Sequence, residues 1–228
     1  EKTTSLPMAI PDGHNSQGWV KLNSSQTGFY RVSYDSAEWD RLRPAIQNLQ
    51  LSSTDRLGLQ NDAYALVRAG FADAPLFLSL AESYKGEQDA TVWSDLATNL
   101  RGMEALIYEE PYLDQFQAYG RDLFEGLVHR IGWDARTGEG HLDALLRSTG
   151  LGQAGSYGNP QVLEEAHARY ERFLKDPTSL HPDLRGVVIA LVAENGDRLI
   201  YDTLWDLERS ATLQEEKMRF LGALTRFH

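Results

Sequence analysis

Ser52-Ser53-Thr54-Asp55-Arg56-Leu57-Gly58-Leu59-Gln60-Asn61-Asp62-Ala63-Tyr64-Ala65-Leu66-Val67-Arg68-Ala69-Gly70 contains every signal of one helix. The first four residues are cap formers, whose short oxygen-bearing side chains satisfy the free N–H groups of a first turn. Leu59, Ala63, Leu66 and Val67 recur at helical spacing and form one apolar stripe. Gly70 follows the last periodic residue, where a chain leaving a helix turns left-handed.

The same period continues downstream. Leu76, Leu80, Ala81 and Tyr84 form a second stripe, and Trp93, Leu96, Ala97, Leu100, Met103 and Ile107 a third. Pro111 opens a longer helix with Tyr112, Phe116, Tyr119, Leu123, Leu127 and Ile131 in register. A shorter helix carries Leu142, Leu145 and Leu146. Residues 148–159 hold Gly150, Gly152, Gly155 and Gly158 and are expected to form a flexible connection. Asn159-Pro160 pairs a cap with a proline at the first helical position, ahead of Val162, Ala166, Tyr170 and Phe173. Further helices are expected from about Pro182, Asp197 and Thr212. Upstream, Trp39, Leu42, Ile46 and Leu49 share a face, and Pro44 is expected to split that segment into a turn and a new start.

About ten helices with short connections favour antiparallel neighbours. The fold expected is therefore mainly α: an α-α superhelix, or α-solenoid, of stacked helix pairs of HEAT or armadillo type. No strict repeat is visible, so an irregular bundle stays open. The first 35 residues read differently. Trp19-Val20-Lys21-Leu22-Asn23 and Phe29-Tyr30-Arg31-Val32-Ser33-Tyr34 are β-rich around a turn at Gly28, and a third strand is expected at Leu6 to Ile10 after which Pro11-Asp12-Gly13 turns. The division expected is 1–35 for the strands and 36–228 for the helical domain.

With 22 Lys and Arg against 33 Asp and Glu, the formal charge is −11. Such a surface repels phosphate backbones, so nucleic acid is not an expected partner. No apolar run reaches the roughly 20 residues that cross a bilayer, so neither is membrane. The absence of cysteine removes disulfides, thiolate metal sites and thiol nucleophiles, and suits the cytoplasm.

Site chemistry is sparse. A zinc-hydrolase helix needs two histidines four apart with a glutamate beside the first. His14, His129, His141, His167, His181 and His228 do not provide this. His167 and Glu171 face each other at helical spacing, which suits an ion pair or, less simply, two metal ligands. Gly138-Glu139-Gly140-His141 reads as a loop leading into a helix. No phosphate loop or serine elbow occurs, so no catalytic and no metal residue is expected in the chain. Asp95 and Asn99, four apart in an otherwise apolar helix, either face a groove and bind peptide backbone or bridge neighbouring helices.

Several segments resemble M1 zinc aminopeptidases: Trp19-Val20-Lys21-Leu22-Asn23 with Gly28-Phe29-Tyr30-Arg31-Val32; Asp55 to Asp62; Thr91-Val92-Trp93-Ser94-Asp95-Leu96; Gly132-Trp133-Asp134; and Gly138 to Arg147. Gln214-Glu215-Glu216-Lys217 matches weakly. The resemblance implies strands from the end of a truncated β-sandwich domain and a helical domain arching over a catalytic domain. Its inner face would close a chamber that admits peptides. It also implies that HExxH, the distant Glu ligand and GxMEN lie upstream, that zinc belongs to the parent enzyme, and that the chain is truncated at both ends. Gly102-Met103-Glu104-Ala105 echoes GxMEN without its Asn and is set aside as coincidence. The function expected is thus a non-catalytic fragment that partners the parent's catalytic domain and its peptide substrate. A free-standing helical interaction module is the alternative.

Overall fold

The computed structural model describes residues 18–227, which hold ten α-helices and no strand. They are α1 (Ser36–Gln47), α2 (Ser53–Arg68), α3 (Ala74–Ala81), α4 (Ala90–Glu104), α5 (Leu113–Ile131), α6 (His141–Ser156), α7 (Pro160–Lys175), α8 (Pro182–Glu194), α9 (Arg198–Ser210) and α10 (Gln214–Leu224). None of the described helices is long and apolar enough to cross a membrane. The chain divides into two compact units, one ending at Tyr84 and one beginning at Lys85.

In the first unit, Trp39, Leu42 and Ile46 of α1, Leu59 and Ala63 of α2, and Phe77 and Leu80 of α3 are buried around Tyr84. The Tyr84 hydroxyl donates to the Arg56 carbonyl at 2.7 Å. Pro44 does not split α1, contrary to the sequence reading. It lies near the end of the helix on the exposed side, and the carbonyl it leaves free belongs to Asp40, which is also exposed to solvent.

The two strands expected at residues 19–23 and 29–34 do not form. A strand gives its N–H groups to a neighbouring strand, whereas here they go to side chains. Val20 N–H donates to Glu38 at 2.6 Å and Leu22 N–H to the Tyr34 hydroxyl at 2.9 Å. Asn23, Ser25 and Gln26 have φ of 52°, 57° and 52°, which ends any β alternation. The segment is instead tied to α2 by charge: Lys21 lies 3.3 Å from Asp55, and Arg31 lies 3.3 Å from Asp62. Burial pushes the Asp55 carboxyl up, but hydrogen bonds from Ser52, Ser25 N–H and Lys21 outweigh it and hold the group below the usual range. Leu6 to Ile10 and Pro11-Asp12-Gly13 lie outside the described residues.

The second unit is built by a simple rule. α4, α6, α8 and α10 pack in that order as one row, and α5, α7 and α9 fill the second layer. Contacts along the row rise together in residue number. Arg101 meets Gln153, Ser156 meets Glu194, Arg185 meets Glu216 and Arg226 meets Glu194. The row is therefore parallel. Across the layers, Gly120 sits against Tyr157 while Gly150 sits against Leu127 and Ile131, so α5 and α6 are antiparallel.

The stretch 148–159 is not a flexible connection: Gly150, Gly152 and Gly155 lie inside α6, and Gly158 follows its end with a left-handed φ of 77°. A Cβ on Gly155 would stand 2.5 Å from Leu191 of α8, and one on Gly150 would stand 3.0 Å from Ile131 and Leu127 of α5. The missing side chains let three helices approach closely. Leu142 and Leu145 are 64% and 48% exposed, so the stripe expected there covers only Leu146.

Candidate functional site

The parallel row presents a groove of about 510 Å³ in the second unit. Its floor is made of small residues at successive turns: Ser94 on α4, Ser148 and Gly152 on α6, Gly186 and Ala190 on α8. Small side chains at these positions leave room between helix axes that larger ones would fill.

Charge gathers towards one end. Arg101 Nη1 donates to Gln153 Oε1 at 2.8 Å and its Nη2 to Thr98 Oγ1 at 3.3 Å. Glu104 accepts from Gln117 Nε2 at 3.0 Å. Glu194 accepts from Ser156 Oγ at 2.7 Å and is bridged by Arg226. The last residues of α4, α6 and α8 are thus Glu104, Ser156 and Glu194, all lining this groove. Burial raises the Glu104 carboxyl above its ordinary range, Gln117 opposes this, and the charge of Glu194 adds to it.

A carboxyl whose folded pKa lies above its unfolded value binds the proton more tightly when folded. Stability therefore falls as pH rises between the two values, and the ionised group is a net cost at neutral pH. Glu104→Gln keeps an acceptor for Gln117 and is expected to unfold at a higher temperature than the parent at pH 7. At pH 3 the two proteins should coincide. A lower melting temperature for the variant at pH 7 would contradict the sign.

Asp95 lies about 100° round α4 from Ser94 and Asn99 about 140°, so both point away from the Ser94–Arg101 line. Asn99 is buried and its Nδ2 donates to Asp95 Oδ2 at 3.1 Å. Neither lines the groove. His167 and Glu171 make no ion pair; Glu165 instead takes Arg169 and Arg172 at 2.8 and 3.1 Å. Gly138-Glu139-Gly140-His141 does lead into a helix, since Gly140 caps α6 and Glu139 bridges buried Arg147. Glu104, set aside with its GxMEN-like surroundings, belongs to the groove. The sequence signal that was present is the glycine spacing in α6, which marks where backbone is left uncovered.

A model of the ERAP1-like C-terminal domain matches residues 19–228. Aminopeptidase M1-A of Oryza sativa subsp. japonica is 39% identical over 213 residues, covering 90% of this chain and 24% of its own length. Aminopeptidase M1 of Arabidopsis thaliana is 34% identical over 233 residues, covering 96% and 26%. Puromycin-sensitive aminopeptidase of Caenorhabditis elegans is 29% identical over 209 residues, covering 91% and 22%. The chain thus spans about a quarter of the length of these relatives.

Proposed function

The chain belongs to the ERAP1-like C-terminal domain family, and on that premise we propose that it is the non-catalytic helical part of an M1 zinc aminopeptidase. There it covers the cavity of the catalytic domain and helps select the peptides that lose their N-terminal residue. The observation that carries this reading is the groove along the parallel row. It is open, polar, floored by small residues and long enough to cross α4, α6 and α8. A two-layer stack whose alternate helices form one continuous row supports an α-α superhelical domain, an architecture that offers one face for binding extended ligands.

The family's zinc does not fit the described residues, because no three His, Asp or Glu side chains converge on a common point. No step of hydrolysis is therefore assigned to this chain, and the purified chain is expected to leave aminoacyl-naphthylamides intact. Asp95 and Asn99, joined by their own hydrogen bond, lie outside this groove and are peptide-facing candidates separate from it.

Bulk placed in the groove tests the reading in the parent enzyme. Gly186 is exposed on α8, and a Cβ there meets nothing within 4 Å. Gly186→Trp is expected to leave single aminoacyl-naphthylamide turnover unchanged. It should lower kcat/KM for peptides of about ten residues by tenfold or more, the scale of a lost binding contact worth ~1.4 kcal/mol. A kcat/KM for the long peptides unchanged from the parent, in a variant that unfolds at the parent temperature, would remove the groove from substrate selection.

A further inference from the structure

A second cavity, of about 330 Å³, lies away from the groove where α5 runs into α6. Arg130, Arg136 and Arg147 all line it. Arginine clusters are ordinarily neutralised by carboxylates, but two of these three are held by neutral carbonyls. Arg130 Nη2 donates to the Glu87 carbonyl at 2.6 Å, and Arg136 Nη2 donates to the Arg130 carbonyl at 2.8 Å. These bonds fix the guanidinium planes without cancelling their charge. No carboxylate oxygen lies within 4.0 Å of either as a salt-bridge partner among the described residues.

Arg147 is 3% exposed, with one nitrogen bridged to Glu139 and bonded to the Ile131 carbonyl. Its buried Nε–H has no acceptor in the protein. A buried donor without a partner is costly and calls for an explanation. Two carboxylates also line the cavity. Glu139 is committed to Arg147, which holds it below its ordinary range, and Asp143 accepts from Gly140 N–H at 2.8 Å. Three guanidiniums against two engaged carboxylates leave one positive charge over, in a chain whose formal charge is −11. At physiological salt the distant negative charge is screened beyond about 8 Å, so the nearby guanidiniums decide what the cavity attracts.

We propose that this cavity binds an oxyanion, a phosphate or a carboxylate group, between Arg130 and Arg136. Guanidinium forks fixed from behind match the spacing of two oxygens on one such group, and little rotamer freedom is lost on binding. The site is independent of the groove: failure of either reading leaves the other standing.

Inorganic phosphate and acetate are the probes, titrated into the 228-residue chain against sodium chloride at matched ionic strength. The readouts are the melting temperature and the arginine Nε–H resonances. Saturable stabilisation by phosphate, by acetate or by both, with shifts confined to Arg130, Arg136 and Arg147, is the expected result, and the arm that saturates at lower concentration identifies the oxyanion. Exposed Arg136 can be replaced without opening the core. Arg136→Gln is expected to weaken binding by about tenfold or more, as loss of a charged hydrogen bond of ~1.5 kcal/mol implies, and Arg136→Lys by less. Should neither anion act beyond chloride, or should Arg136→Gln bind as tightly as the parent, the proposal is overturned.

Discussion

Trp93→Ala is expected to cost the second unit about 3–5 kcal/mol, the range for truncating a large aromatic in a closed core. Trp93 is fully buried on α4, with its ring 5.0 Å from Phe124 of α5. Its indole Nε1 donates to the Glu87 carbonyl at 2.9 Å, tying the start of the unit to its first helix. Arg130 donates to the same carbonyl, so that oxygen keeps a partner after the substitution. The loss is therefore mainly cavity and transfer energy, without an added orphan acceptor. Urea unfolding should show a lower midpoint with an unchanged slope. A loss below about 1 kcal/mol would mean that the site collapses around the gap and that Trp93 is not an anchor.

Gly155→Ala carries the second large effect and separates two readings of one stretch. If residues 148–159 were a flexible connection, alanine would be neutral or stabilising, since it restricts the unfolded chain. Inside a helix, alanine is also intrinsically favoured over glycine by about 1 kcal/mol. Both arguments predict a gain. The packing predicts a loss, because the new methyl would lie 2.5 and 2.6 Å from the two Cδ atoms of Leu191 and 3.1 Å from its Cγ. Leu191 is 1% exposed and has nowhere to turn, so either its branch or the α6–α8 spacing must give. Overpacking of this kind costs roughly 1–3 kcal/mol, and a net destabilisation of up to about 2 kcal/mol is expected after the helix gain. Gly126→Ala is the matched control, an exposed position inside α5 with nothing within 4 Å of its Cβ. It should stabilise by ~0.5–1 kcal/mol. Gains of equal size at both positions would show that Gly155 is not a contact.

Where helices begin was legible because caps are local chemistry. Ser52, Asn159 and Asp197 each accept a backbone N–H in the first turn of the helix that follows. Gly70 takes the left-handed φ of 73° that its place after α2 demands. Non-local partners were not legible. A glycine that loosens a chain and one that admits a neighbouring helix are the same letter, and only Leu191 distinguishes them. Pro44 reads as a breaker unless its exposure is known. Residues 19–34 have β composition, yet their N–H groups find Glu38 and Tyr34, acceptors that no alternation pattern reveals. Among the groove residues, Arg101, Gln153, Glu194 and Arg226 come from elements far apart in sequence, so no motif unites them. That Asp95 and Asn99 would be neighbours was legible because they share one helix, the range over which spacing alone is informative, and the groove instead takes in other faces of α4.

The parallel order of α4, α6 and α8 has a consequence for any chain lying across them. Peptide dipoles add along a helix and leave partial negative charge at its C-terminal end. In antiparallel stacks, neighbouring ends cancel. Here the three ends coincide, at Glu104, Ser156 and Glu194, and two carboxylates reinforce them while Arg101 and Arg226 answer in part. The cleft therefore has a head and a tail. A ligand with an amine at one terminus and a carboxylate at the other would meet different surroundings in its two orientations, so the row itself sets a sense of direction before any side chain is read.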